Sequence, residues 1–128
     1  MDITRQKVVL IEDDHTMGDL LETLLGLEGF QVILHREVWD IRQLIQSVSS
    51  EKPAIVMLDV HLRQINGLEL LDSLRHEEGL KETKFILSSG IDYREESLKA
   101  GADAFLLKPY MPDELIGEIN ILLGDEHG

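Results

Sequence analysis

The sequence predicts an α/β fold, a doubly wound parallel sheet with helices on both faces. Two observations carry this. Five short apolar runs are continuous rather than alternating, as strands buried on both faces require. Between them lie segments with apolar residues at helical spacing, joined by short connections, so the chain reads as five strand–helix units.

The first run is Val8–Ile11. In the helix after it, Met17, Leu20, Leu21, Leu24 and Leu25 repeat at i, i+3, i+4, i+7 and i+8, and Gly29 closes it. Val32–Leu34 is the second run, followed by a helix carrying Ile41, Leu44, Ile45 and Val48 on one face. Ile55–Leu58 leads to a shorter face of Leu68, Leu71 and Leu74. After Phe85–Leu87 the helical pattern around Tyr93–Ala100 is short and weak. Ala104–Leu107 precedes a clear last stripe of Leu115, Ile116, Ile119, Leu122 and Leu123, entered through Pro112 at a first-turn position. Residues 1–6 and 124–128 read as tails around a core of residues 7–123. The 128 residues suit a single domain, with no linker and no length left for an output domain.

Composition narrows the function. Asp and Glu number 25 against 12 Lys and Arg, a net charge of −13, and such a surface repels nucleic-acid phosphates and anionic lipids. Direct nucleic-acid or membrane binding by this chain is therefore not expected. There is no cysteine, which excludes disulfides and thiolate metal sites and fits a cytoplasmic location. The apolar run near the amino terminus is too short for a signal peptide or a membrane span.

Ligands of such sheets bind beyond the carboxyl ends of the strands. Glu12, Asp13 and Asp14 follow the first run, Asp59 the third, Ser88 and Ser89 the fourth, and Lys108 and Pro109 the fifth. Asp14 reads as a helix cap. Glu12, Asp13 and Asp59 would repel one another if brought to one mouth, and a hard cation such as Mg²⁺ relieves that repulsion. An Asp carboxylate can act as a nucleophile and form an acyl phosphate. A cation and a lysine neutralise oxygens of the transferring group, and a serine hydroxyl donates to another. The order of these groups on successive strands points to phosphoryl transfer.

The segments VVLIEDD, IVMLDVHLRQINGLELL, FILSSG and LKAGADAFLLKP resemble the receiver domains of bacterial response regulators, the CheY-like switches of two-component signalling, from Lys7 to Leu123. The resemblance implies a flavodoxin-like (βα)5 sandwich with strand order 2-1-3-4-5 over a single receiver domain, residues 1–128. It implies Asp59 as phosphoacceptor and Lys108 as partner of the phosphoryl group. Mg²⁺, or Mn²⁺ in its place, would be held by Asp13, Asp59 and the backbone carbonyl of His61, with Glu12 acting through water. Ser89 matches the switch hydroxyl, with Ser88 as second candidate, and Phe105 the switch aromatic. Gly67 matches the glycine that opens the third helix, Gly90 the small residue after the switch hydroxyl, and Pro109 a residue usually preceded by a cis bond.

The implied partners are a sensor histidine kinase or a histidine phosphotransfer domain, and a downstream protein or output domain. A homodimer would form through the fourth helix, fifth strand and fifth helix. The implied activity is its own phosphotransfer and dephosphorylation rather than stand-alone metabolic catalysis.

The sequence departs from the family in having Arg63 where proline is usual, and in a Ser89-to-Lys108 interval about one helical turn short. Two alternatives share much of the pattern. A phosphorylation-independent pseudo-receiver would be expected to lose an acid or the lysine. A small Mg²⁺-dependent phosphohydrolase with an Asp nucleophile would want an acid where His61 stands. The five histidines lack metal-ligand spacing and read mostly as surface residues, with His61 placed to overhang the site. Trp39 is expected to pack at the start of the second helix, and Met17 and Met57 to fill core space.

Overall fold

A computed structural model describes residues 6–124 of the chain; the expected end tails fall almost entirely outside them, as does His127. Five parallel strands alternate with five helices: β1 (Lys7–Ile11), α1 (His15–Leu27), β2 (Gln31–His35), α2 (Ile41–Glu51), β3 (Ile55–Asp59), α3 (Gly67–Arg75), β4 (Lys84–Ser89), α4 (Arg94–Lys99), β5 (Ala104–Leu107) and α5 (Pro112–Leu122). A 3-10 turn, Glu78–Leu80, lies between α3 and β4. The strand order is β2-β1-β3-β4-β5, the doubly wound order expected. The chain therefore reverses its winding at β1, and the β1–β3 junction is where such sheets open a crevice.

Residue alternation along the strands divides the core in two. Val9, Ile11, Val56, Leu58, Phe85, Leu87 and Phe105 meet α2 and α3 through Leu44, Val48, Leu70, Leu71 and Leu74. Val8, Leu10, Ile55, Met57, Ile86, Ala104 and Leu106 meet α1 and α5 through Leu21, Leu25, Leu115 and Ile119. Burial on both sides explains the continuous apolar runs of β1, β3 and β4. β2 differs. It stands at the sheet edge, and none of its residues is fully buried.

Local chemistry sets the helix ends. The Asp14 carboxylate accepts from Met17 N at 3.0 Å and caps α1, as the sequence suggested. Asp40 caps α2 and Asn66 caps α3 in the same way. Gly29, beyond α1, has φ +98, the left-handed conformation that ends a helix. Pro112 is the first residue of α5, and the Glu114 carboxylate reaches back to Met111 N at 3.0 Å. α4 has only six residues, in keeping with the shortened Ser89-to-Lys108 interval.

Two expectations fail. Trp39 does not pack at the start of α2 but is 80% exposed, and the neighbouring Val38 enters the core instead. Val38 occupies the inward position just ahead of the Asp40 cap, and successive residues of extended chain face opposite ways. His35 is not a plain surface histidine: its Nε2 is buried, with no hydrogen-bond partner among the described residues. Met57 is buried, and Met17 packs half-buried on the α1–α5 side, as expected.

Candidate functional site

Strand alternation selects the residues that meet at the carboxyl end of the sheet. Glu12, Asp59 and Lys108 each extend the series that packs under α1 and α5, namely Val8/Leu10, Ile55/Met57 and Ala104/Leu106. They line one open cleft with Asp13, Asp14, His15, Thr16 and Arg63.

Asp59 is the hub. Lys108 Nζ donates to its Oδ2 at 2.9 Å, and the His61 backbone N–H donates to its Oδ1 at 3.0 Å. Lys108 follows β5 and precedes a cis peptide to Pro109, and its own backbone N–H donates to Ser89 O at 2.8 Å. The same ammonium stands 3.5 Å from Glu12 Oε1. Burial raises the Glu12 pKa, and the adjacent Lys108 charge opposes part of that rise. For Lys108, burial disfavours the ammonium, but the hydrogen bond to Asp59 and the charges of Glu12 and Asp59 outweigh it. Its pKa lies above the ordinary lysine value. One cation thus holds two carboxylates together in a half-dry cleft.

Glu12 is only 5% exposed, and its Oε2 accepts from Asp14 N at 3.1 Å. Asp13 turns toward the loop after β3, where its Oδ2 accepts from Arg63 N at 2.8 Å. That bond uses the backbone of residue 63, so an arginine serves there as well as other non-proline residues would, and a proline could not. Gly67 is required by space. A Cβ on it would lie 2.2 Å from Asp59 O and 2.8 Å from Val60 Cα, while its N–H donates to Val60 O at 2.7 Å. α3 therefore starts in direct backbone contact with the carboxyl end of β3. Gly90 has no such crowding.

Ser89 and Phe105 sit on the other side. Ser89 extends the Phe85/Leu87 series, while Ser88 pairs with Asp59 in the β3–β4 ladder. The buried Ser89 Oγ accepts from Ile91 N at 3.0 Å and lies 3.4 Å from His61 Nε2. Of the two serines, Ser89 shares the face of Phe105. The Phe105 ring is already buried, 2% exposed, with the Arg94 guanidinium over it at 5.5 Å. An outward ring waiting to rotate inward is thus not what this chain presents. The His61 ring lies toward Ser89, and it meets that of Tyr93 with centroids 5.5 Å apart. Nothing in the sequence marks Tyr93 as a partner of His61, since only tertiary packing brings the two together.

Among the described residues no three His, Cys, Asp or Glu side chains are grouped to hold a metal. The oxygen set at hand is instead two carboxylates, Asp13 and Asp59, with Glu12 behind them. Such a set suits a hard, largely hydrated cation such as Mg²⁺ and disfavours a softer metal.

Comparison with known proteins agrees with this architecture. The chain is 28% identical over 123 residues to the DNA-binding response regulator MtrA of Mycobacterium tuberculosis, covering 96% of this chain and 53% of that protein. It therefore spans about half the length of the curated relatives it matches. Among solved structures, a CheY-like response regulator receiver domain from Methylobacillus flagellatus superposes with a TM-score of 0.79 at 25% identity, over 93% of this chain and 99% of that one. The receiver domain of the sensor histidine kinase PA1611 from Pseudomonas aeruginosa, which has a magnesium ion coordinated in its active site cleft, superposes with a TM-score of 0.81. It is 23% identical, over 95% of this chain and all of that one (100%), so it speaks for the fold. The family model for the response regulator receiver domain matches residues 8–120, and the chain belongs to that family.

Proposed function

We propose that this receiver domain is a phosphoryl-accepting switch in which Asp59 takes the phosphoryl group from a phosphohistidine of a sensor kinase or histidine phosphotransfer domain. The observation that carries the reading is the Lys108–Asp59 contact of 2.9 Å inside an acidic, half-buried cleft. An Asp59 carboxylate oxygen attacks phosphorus, the phosphorus–nitrogen bond of the donor breaks, and the leaving imidazole takes up a proton. Lys108 then exchanges the carboxylate oxygen for a phosphoryl oxygen, so its charge stays paired throughout. Glu12, behind it, holds the ammonium in place. Mg²⁺ would be held by Asp13, Asp59 and the His61 carbonyl, with Glu12 acting through water, and would neutralise charge on the transferring group. Mn²⁺ offers similar oxygen-seeking chemistry.

The phosphorylated form would alter the surface around α4, β5 and α5, where Ile91, Leu98 and Leu107 are exposed apolar residues suited to a downstream domain or a second copy. The DNA-binding relatives suggest an output of that kind, while the net charge of −13 on this chain repels DNA phosphates. No helix among the described residues is long and apolar enough to cross a membrane, and a cytoplasmic location agrees with the kinase partner.

The test is intact mass after incubation with acetyl phosphate and Mg²⁺. One phosphoryl adduct is expected on the wild type and none on Asp59→Asn. A wild type that stays unmodified would favour a phosphorylation-independent binding module on the same fold.

A further inference from the structure

We infer that the His61 side chain is a positioning residue that latches the Ser89 hydroxyl to Tyr93, and that phosphorylation acts on α4 by releasing this latch rather than by rotating Phe105. The inference rests on the reading of Asp59 as phosphoacceptor.

Three observations build it. Phe105 is already buried beneath Arg94, so an inward swing of that ring cannot carry the signal. Ser89 Oγ, the buried hydroxyl at the end of β4, is shared between the Ile91 N–H at 3.0 Å and His61 Nε2 at 3.4 Å. The imidazole in turn leans on Tyr93, tilted 58° to it, in the offset geometry that aromatic quadrupoles favour. Tyr93 immediately precedes α4, and its carbonyl accepts from Ser97 N at 2.8 Å, closing the helix's first turn. A continuous set of contacts therefore joins the Asp59 loop, through His61, to the start of α4.

The relative strengths set the direction. A 3.4 Å contact is long for a hydrogen bond. Hydroxyl bonds to an anionic oxygen are about twice as strong as neutral ones. A phosphoryl oxygen on Asp59 therefore wins the Ser89 proton from His61. The release requires the ring tautomer in which Nε2 accepts from Ser89, because a hydroxyl accepting from an Nε2–H could donate to the phosphoryl oxygen at the same time. Once His61 loses Ser89, its ring has one fewer restraint, and Tyr93 repacks with it. Because α4 has only six residues, movement at Tyr93 reaches Ile91 ahead of the helix and Leu98 within it, both of them exposed.

The experiment compares wild type, His61→Phe and Tyr93→Leu by NMR, with and without acetyl phosphate and Mg²⁺. Intact mass reports the adduct, so that spectra are compared at equal phosphorylation. In the wild type the His61 and Tyr93 ring signals and the amides of residues 91–98 should shift on phosphorylation. His61→Phe retains a ring against Tyr93 but has no nitrogen for Ser89, and the phosphorylation response of Tyr93 and of the α4 amides should be lost. Tyr93→Leu should lose the α4 response while the His61 ring still responds. Equal α4 shifts in all three proteins would overturn the inference. A wild type without adduct would defeat the phosphotransfer reading instead. The latch would then be judged on the unmodified protein, where Ser89→Ala must move the His61 and Tyr93 ring signals; unmoved signals would overturn it.

Discussion

Individual side chains in this protein are placed by what lies around them more than by their type. His35 shows this. Its imidazole is on the edge strand with Nε2 buried and unpartnered, and burial lowers its pKa below 6.5, partly opposed by the Glu51 charge. The folded protein therefore resists protonation there while the unfolded chain accepts the proton. Stability from this residue is fully present above pH 6.5 and declines as pH falls from 6.5 toward the lowered folded pKa. In urea titrations, His35→Phe should show a flatter stability–pH curve than the wild type between pH 7 and about pH 5. Parallel curves would mean that His35 is protonated equally in both states. No residue-level pattern in the sequence marks His35, because burial of one ring nitrogen is decided by tertiary packing. Asp14 is the opposite case. Its capping role was legible because a cap is a local contact, three residues long.

Helices and strands meet at a few points where one residue decides the fit. Gly67 is one. A methyl group there would overlap Asp59 O, so Gly67→Ala must push α3 away from the carboxyl end of β3. Overpacking of this kind costs about 1–3 kcal/mol or more, and it displaces Asp59. Both a lower urea midpoint and slower adduct formation are expected; a lower midpoint with normal labelling would separate packing from the site. Arg75 is another. At the end of α3 it donates to Gly101 O, Thr83 O and Asp103 Oδ2, and its guanidinium covers Phe85 at 4.7 Å. Asp103 also accepts from Phe85 N, so the pair ties α3 to both β4 and the β5 entry. Arg75→Met keeps much of the stem but strands two carbonyls and a carboxylate, and should cost on the order of 2 kcal/mol. Asp103→Asn, which still accepts, should cost less. Equal losses would mean that the Arg75–Asp103 charge pair, and not the two carbonyl bonds, accounts for the cost. The element boundaries were readable from apolar spacing, whereas Arg75 was not, since its three partners come from distant stretches of chain.

At the scale of the molecule, charge is the dominant global property. A net charge of −13 works against compactness, and the acids at the carboxyl end of the sheet concentrate that cost. Added NaCl should raise the melting temperature by screening. Mg²⁺ should raise it further at equal ionic strength if the cleft binds it, because only the folded state assembles Asp13 and Asp59. Asp13→Asn should abolish that extra rise. An Mg²⁺ effect no larger than that of NaCl would remove the metal site.

Without metal, repulsion alone would favour Asp13→Ala, but the bond from Arg63 N and the cation of Lys108 both stabilise the acid cluster. The variant should therefore gain little or lose slightly. The amino-acid sequence by itself determined the succession of strands and helices, the Asp14 cap, and which acids, serines and lysine stand at strand ends. These depend on local periodicity and on neighbours within a few residues. Only the tertiary structure decided that Lys108 bridges Asp59 and Glu12, that Trp39 faces solvent, that Phe105 is already inward, and that His61 touches both Ser89 and Tyr93. Those contacts join residues far apart in the chain. Their geometry is set by how the sheet twists and how the helices settle on it, which no short stretch of sequence encodes.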